Sequence, residues 1–284
     1  MTWLLYIIIC LIWGSTWIAI KIGLSQAPPF YTSSLRFILA VFILAAIVQA
    51  KKYPYPKGLK NFLTLGYPGV FMYGGSYAFI YFAELYIDSA LTAVLFASFP
   101  IFVALLSSRK LKGEKLNGLG WLGLMIGLAG VVLISYDSFQ TSRDIFLGTL
   151  LALAGAFSAA YGMVLHKKRF ADKNIYISAT VQMICGGVFL VPGALIFEHW
   201  SDFVVSTESI GSIIYLALFG SVIAFLGYYW LLARTRAVTV SLIAFITPLV
   251  AIFIGVLFFS ESLPLLIAFG TVLILSGILL VERR

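Results

Sequence analysis

Apolar runs of about twenty residues, separated by short polar breaks, recur along the whole chain. A run of that length spans the roughly 30 Å hydrocarbon layer of a bilayer, so each one predicts a transmembrane helix. The runs fall near residues 3–21, 30–50, 62–84, 87–107 and 116–136, then 146–165, 175–197, 211–233, 239–259 and 265–281. The pattern predicts an all-α integral membrane protein of ten transmembrane helices. No basic stretch precedes the first run and no small-residue cleavage site follows it, so it reads as a retained helix rather than a removed leader.

Composition agrees: 62% of the residues are hydrophobic and 11% charged, far from the quarter-charged composition of soluble domains. The net charge of +8 sits in the short breaks, not in a basic tail or domain, so it argues for topology and against a nucleic-acid partner. Taking alternate breaks, one side collects 16 basic residues, from Lys51 through Lys112 and Lys167 to Arg284, while the other holds Arg143 alone. The basic side is expected to be cytoplasmic, which puts both termini there, in a prokaryotic plasma or inner membrane.

The last two runs of each half match. Pro100 precedes Glu114, Gly123 and Gly130, and Pro248 precedes Glu261, Gly270 and Gly277, with identical offsets from the Glu onward. Five spans is an odd number, so the second copy enters the membrane from the opposite face. The expected organisation is two inverted five-helix repeats, residues 1–137 and 138–284, an arrangement frequent in secondary transporters.

Through Trp13-Gly14-Ser15-Thr16-Trp17, Arg36-Phe37, Ala83-Glu84-Leu85-Tyr86-Ile87, Pro100 and Glu114, the chain resembles the EamA-type family of the drug/metabolite transporter superfamily. The resemblance covers nearly the whole chain. It implies a secondary transporter of a small metabolite, an amino acid or another small organic solute, working by alternating access with export as the expected direction. It also implies a substrate cavity between the halves. A channel or a non-transporting scaffold is the alternative, because inverted repeats describe architecture before mechanism.

Ionisable residues inside the spans cost at least about 2.5 to 3.5 kcal/mol on insertion scales and need partners. Lys21, Arg36, Glu84 and Asp88 qualify, and the topology gathers all four in the external half. Read functionally, Arg36 or Lys21 pairs with Glu84 in the empty protein and with an anionic solute in the loaded one. Read structurally, Lys21, Glu84 and Asp88 snorkel to the headgroups. Tyr73, Tyr77, Tyr81 and Glu84 fall on one helical face, and their polar groups require a protein or wet surrounding, with aromatic packing as the competing account.

Duplication extends the candidate site. Arg36 aligns approximately with Gln182 and Trp17 with Tyr161, while Tyr67 and Tyr81 align with Tyr215 and Tyr229 at the offset that pairs the two prolines. Trp13, Thr16 and Trp17 are candidates to line the path early in the first span, unless the hydroxyls simply bond back to helix carbonyls. Pro100 and Pro248 each remove a backbone donor within a span and predict kinks or hinges. Gly123 with Gly127, and Ala152, Ala156 and Ala160, are spaced for close helix packing.

The histidines, His166 and His199, flank spans on opposite expected sides, and no nucleophile, acid and base converge, so no enzyme and no metal site are expected. No phosphate-cradling GxxxxGK[ST] run occurs, so the drive is expected from gradients or exchange, without a cofactor. Cys10 and Cys185 lie in apolar stretches and read as packing residues. The expected partners are a small-molecule solute and the lipid bilayer.

Overall fold

A computed structural model describes residues 2–84, 86–87, 92, 95–134, 145–247, 249–250, 254 and 265–282; of these, the side chains of residues 17, 21, 84, 134, 145 and 265–268 are not described. All regular structure in this set is helical. Helix α1 (Thr2–Leu24) and α2 (Pro29–Ala50) cover the first two predicted spans. The third is α3 (Leu59–Gly69), a π-helical stretch (Val70–Gly75) and α4 (Ser76–Glu84) in direct succession.

After these come α5 (Phe99–Lys110), α6 (Gly118–Ile134), α7 (Ile145–Phe170), α8 (Ile175–Gly187) and α9 (Leu190–Phe197). Helix α10 (Thr207–Tyr215) runs through a second π-helical stretch (Leu216–Ile223) into α11 (Ala224–Arg234). Helix α12 (Ala237–Ser241) opens an apolar helical segment reaching Thr247, and α13 (Leu265–Glu282) ends the described chain. Among the described residues, five helical stretches are long and apolar enough to cross a membrane: Thr2–Leu24, Pro29–Ala50, Phe146–Phe170, Ile175–Phe197 and Thr207–Arg234. The protein is thus a helical, integral membrane type of structure, with side chains such as Phe42, Leu195 and Leu279 turned outward and exposed, as a lipid-facing surface requires.

Pro100 stands at the start of α5, just after a turn at Ala97–Ser98. The break expected in the fourth span is therefore a helix restart, where a proline lacking its N–H costs nothing. Pro248 and Asp88 lie outside the described residues. The two π-helical stretches were not expected; each fits one extra residue into a turn, a device common at functional sites.

Helices α6 and α13 pack backbone against backbone. A Cβ built on Gly123 would lie 2.6 Å from the Gly277 carbonyl oxygen, one on Gly277 2.5 Å from that of Gly123, and one on Gly130 2.7 Å from that of Gly270. Glycine at these places removes the side chain that would hold the helices apart.

The basic breaks meet at one end of the bundle. Lys51 lies over the Tyr176 ring, Tyr53 stacks on Tyr176, and Glu114 pairs with Lys167 at 2.9 Å. At the other end Glu198, following α9, accepts the backbone amides of Phe30 (2.7 Å) and Tyr31 (2.8 Å) and so satisfies the open first turn of α2. There too, Val204 N–H donates to the Gln26 carbonyl.

Candidate functional site

A cavity of about 220 Å³, taken as the space open to the centre of a water molecule, lies between the helices in the central part of the bundle and towards the end away from the basic breaks. Trp13, Thr16 and Ile20 of α1, Arg36 of α2, and Tyr77 and Tyr81 of α4 line it. Phe225 and Tyr228 of α11 face them, and Val240, Ser241, Ala244 and Thr247 close another side. Among the described residues the walls are mainly aromatic and aliphatic, with scattered hydroxyls and one cation, the usual make-up of a small-molecule pocket.

Arg36 is 4% exposed. Its Nε donates to Ser221 Oγ at 2.8 Å and its Nη2 to the Gly220 carbonyl at 3.3 Å. The guanidinium also lies 5.3 Å from the Phe37 ring centre and 5.7 Å from that of Tyr77, within range of their π faces. Among the described residues no carboxylate lies within ion-pair distance of it. Two of the five guanidinium donors are engaged by these hydrogen bonds, and the group borders the cavity, where an anionic oxygen could take the others.

The second π-helical stretch shapes this contact. Ser221 Oγ accepts from Arg36 while donating to the Leu216 carbonyl at 3.0 Å, five residues back. Gly220 presents its carbonyl to both Arg36 and Trp13 Nε1, the latter at 3.1 Å. A Cβ at Gly220 would stand 2.9 Å from Thr16 Cγ2 and 3.3 Å from Arg36 Nη2, so glycine allows this approach without displacing either side chain. Thr16 Oγ1 donates to the Trp13 carbonyl and Ser15 Oγ to that of Ile12, so both hydroxyls do bond back to their own helix.

The sequence-derived candidates divide into groups. Trp13, Thr16, Arg36, Tyr77 and Tyr81 come together around the cavity. Tyr73, Gln182 and Tyr229 form a separate buried chain: Tyr73 and Tyr229 hydroxyls lie 2.9 Å apart, Tyr229 donates to Gln182 Oε1 at 2.7 Å, and Gln182 Nε2 meets His166 Nδ1 at 2.8 Å. His166 stacks on the Tyr229 ring with centroids 4.2 Å apart. This chain extends from the cavity's neighbourhood towards the basic end, and Met72, which lines the cavity, touches the Tyr229 hydroxyl through its sulfur.

Tyr161 stands apart, edge-on to Phe71 and beneath the Lys110 ammonium at 4.1 Å. The side chains of Trp17, Lys21 and Glu84 lie outside the described residues. Gly220, Ser221, Phe225 and Tyr228 were missed. The offset pairing Tyr67 with Tyr215 carries Tyr77 onto Phe225 and Ile80 onto Tyr228, and all four line the cavity. Applying the same offset to the whole tyrosine stripe, Tyr73, Tyr77 and Tyr81, would have found Ser221 and Phe225, whereas Tyr228 is the counterpart of Ile80, outside the stripe.

The model of the EamA-like transporter family matches two stretches of the chain, residues 1–136 and 146–283. The chain belongs to the EamA-like transporter family. Among its relatives, the "Uncharacterized transporter YoaV" of Bacillus subtilis (strain 168) is 30% identical over 280 residues, covering 95% of this chain and 92% of its own. The "Uncharacterized inner membrane transporter YedA" of Escherichia coli (strain K12) is 28% identical over 275 residues, with 94% and 88% covered. A solved structure described as "Crystal structure of protein" superposes with a TM-score of 0.84 at 19% identity, over 98% of this chain and 95% of that one, a likeness of fold. As an EamA-like family member with several membrane-spanning helices, the protein is a membrane transporter.

Proposed function

We propose that this EamA-like protein is a secondary carrier that binds a small organic solute in the central cavity and moves it, outward as the net direction, by alternating access. Arg36 serves as the counter-ion of an anionic group on the solute, most simply a carboxylate. The observation that carries this reading is the buried guanidinium at the wall of a mainly aromatic and aliphatic cavity with scattered hydroxyls. A cation held there without a carboxylate among the described residues is worth its desolvation when a mobile anion completes it.

The carrier has ten spans in two inverted repeats, 1–137 and 138–284, with both termini cytoplasmic. The family match in two stretches supports the duplication. So does the glycine seam: Gly123 meets Gly277 and Gly130 meets Gly270, although the sequence offset aligns Gly123 with Gly270 and Gly130 with Gly277. Exchanged partners of this kind are what a two-fold relation between repeats produces.

The deciding experiment uses purified protein in liposomes, screened with labelled amino acids, nucleosides and organic anions. A carrier gives saturable uptake that internal solute accelerates. Flux that neither saturates nor responds to internal solute would establish a channel, and no flux across the panel together with no binding would remove the transport reading of the cavity.

A further inference from the structure

Outside the cavity, a second polar cluster besides the Tyr229–Gln182–His166 chain sits at the basic end, around the start of α12. Glu114, in the connection between α5 and α6, is 6% exposed. One carboxylate oxygen pairs with Lys167 of α7 at 2.9 Å, and the other accepts the backbone N–H of Ala237 at 2.7 Å. Lys167 also donates to the Thr235 carbonyl, in the link that leads into α12. Two residues beyond Ala237, Tyr6 of α1 donates to the Thr239 carbonyl at 3.1 Å, and the Thr239 hydroxyl donates to Glu282 of α13.

Glu114, Tyr6 and Glu282 thus hold the first turn of α12 from different directions, and Lys167 holds the link that enters it. The segment so held continues directly into the cavity wall, through Val240, Ser241, Ala244 and Thr247. It is not a single uniform helix: Leu242 N–H is shared between the carbonyls of Val238 and Thr239, and a turn at Leu242 separates α12 from the helical residues 243–247. The basic end of the segment is therefore fixed by charge, while its cavity end is joined to it through a bend.

We propose that the Glu114–Lys167 pair is the latch that shuts the pathway at the basic end, and that access from that end requires Glu114 to release the Ala237 amide so that the segment 237–247 swings away. Glu114 and Lys167 are positioning residues: they touch no solute and act through the wall they hold. A buried carboxylate that pairs a cation and also takes a backbone amide gives a short, directional contact that is either made or lost, which suits a two-position element. The inference rests on the alternating-access reading of the cavity and adds where one of the two gates is.

The test uses full-length protein in liposomes, with Cys10→Ala and Cys185→Ala, and Ser241→Cys as the reporter in the cavity wall. A membrane-impermeant thiol reagent is applied from either side, and counterflow is measured on the same preparations. With the latch intact, labelling from the basic side is slow. Glu114→Gln and Lys167→Gln should each raise basic-side labelling about tenfold and lower labelling from the other side, as expected when one of two access states loses a stabilising contact. General loosening of the fold would raise both, so the opposed changes separate a latch from a merely structural contact.

If both variants keep a wild-type melting temperature and label as wild type from both sides, the latch is overturned. Should Glu114→Gln fail to fold, Lys167→Gln decides alone, since it leaves the Ala237 amide its acceptor. The two readings fail separately: absent counterflow with opposed labelling changes removes the carrier and keeps the latch, and normal counterflow with unmoved labelling does the reverse.

Discussion

Arg36 and Ser221, far apart in the chain, meet through a 2.8 Å hydrogen bond from Nε to Oγ at the wall of the central cavity. The bond fixes the guanidinium plane and leaves its outer edge to the cavity. Arg36→Gln should lower transport of anionic solutes by about 10- to 100-fold, the range set by losing a charge-assisted contact worth about 1.5 to 3 kcal/mol, and spare neutral ones. A double-mutant cycle with Glu84→Gln, read in the same flux assay, tests whether the two residues share a task. A double mutant less impaired than the sum of the single losses means that they do, and additive losses mean independent roles.

Gly220 gives a sharper probe of the same geometry. In Gly220→Ala the new methyl would press on Thr16 Cγ2 and Arg36 Nη2. Overpacking of this kind costs about 1 to 3 kcal/mol. The expected result is a several-degree drop in melting temperature together with weakened solute affinity, while Gly211→Ala, where a Cβ meets nothing within 4 Å, changes neither. Equal behaviour of the two variants would show that the Gly220 contact does not shape the site.

Much of the fold was legible because a bilayer imposes one length on every crossing helix. The spans at 30–50 and 175–197 match α2 and the α8–α9 pair closely for that reason. The cavity was legible where a costly residue advertised itself, as with Arg36, or where a helical stripe carried hydroxyls, as with Tyr77 and Tyr81. What lay hidden depends on contacts between distant segments. Glu114 was visible only as a repeated motif, and nothing near it in sequence points to the Ala237 amide. The π-helical turns that bring Ser221 and Gly220 to Arg36 have no periodic signature, since an extra residue in one turn disturbs a pattern without replacing it. Tyr229, placed in the cavity's company by duplication, instead belongs to the buried chain with Gln182 and His166.

Glu198 should confer a measurable pH dependence at the end away from the basic breaks. Burial raises its carboxyl above the usual range, and the amides of Phe30 and Tyr31 pull it partly back. A carboxyl whose folded pKa exceeds its unfolded one holds its proton more tightly when folded. Its contribution to stability is therefore present below the unfolded pKa and lost as pH rises through the folded value. The melting temperature of wild type relative to Glu198→Gln should move in favour of wild type on acidification from about pH 7.5 to about pH 3.5, a window that starts above the raised value and ends below the ordinary glutamate one. A difference that stays constant, or moves the other way, would contradict the raised value.

The glycine seam predicts a strong response to small changes. Gly123→Ala or Gly277→Ala would set a methyl within 2.6 Å of a backbone oxygen on the facing helix, and backbone cannot turn aside as a side chain can. Each variant should lose well over a degree of melting temperature and much of its yield in detergent, by the same overpacking cost of about 1 to 3 kcal/mol. Gly118→Ala, with nothing within 4 Å of its new methyl, is the control and should be silent.

That seam also divides the molecule mechanically. Helices joined through side chains slide by exchanging rotamers, each a small and reversible adjustment. Where Gly123 and Gly130 press carbonyl to Cα against Gly277 and Gly270, there are no rotamers to exchange, and a shift of one helix along the other drives backbone into backbone. Helices α6 and α13 therefore act as a fixed post. In the alternating-access cycle proposed above, the moving parts turn around it, and that movement falls to the helices that carry Arg36, Tyr77 and Ser241.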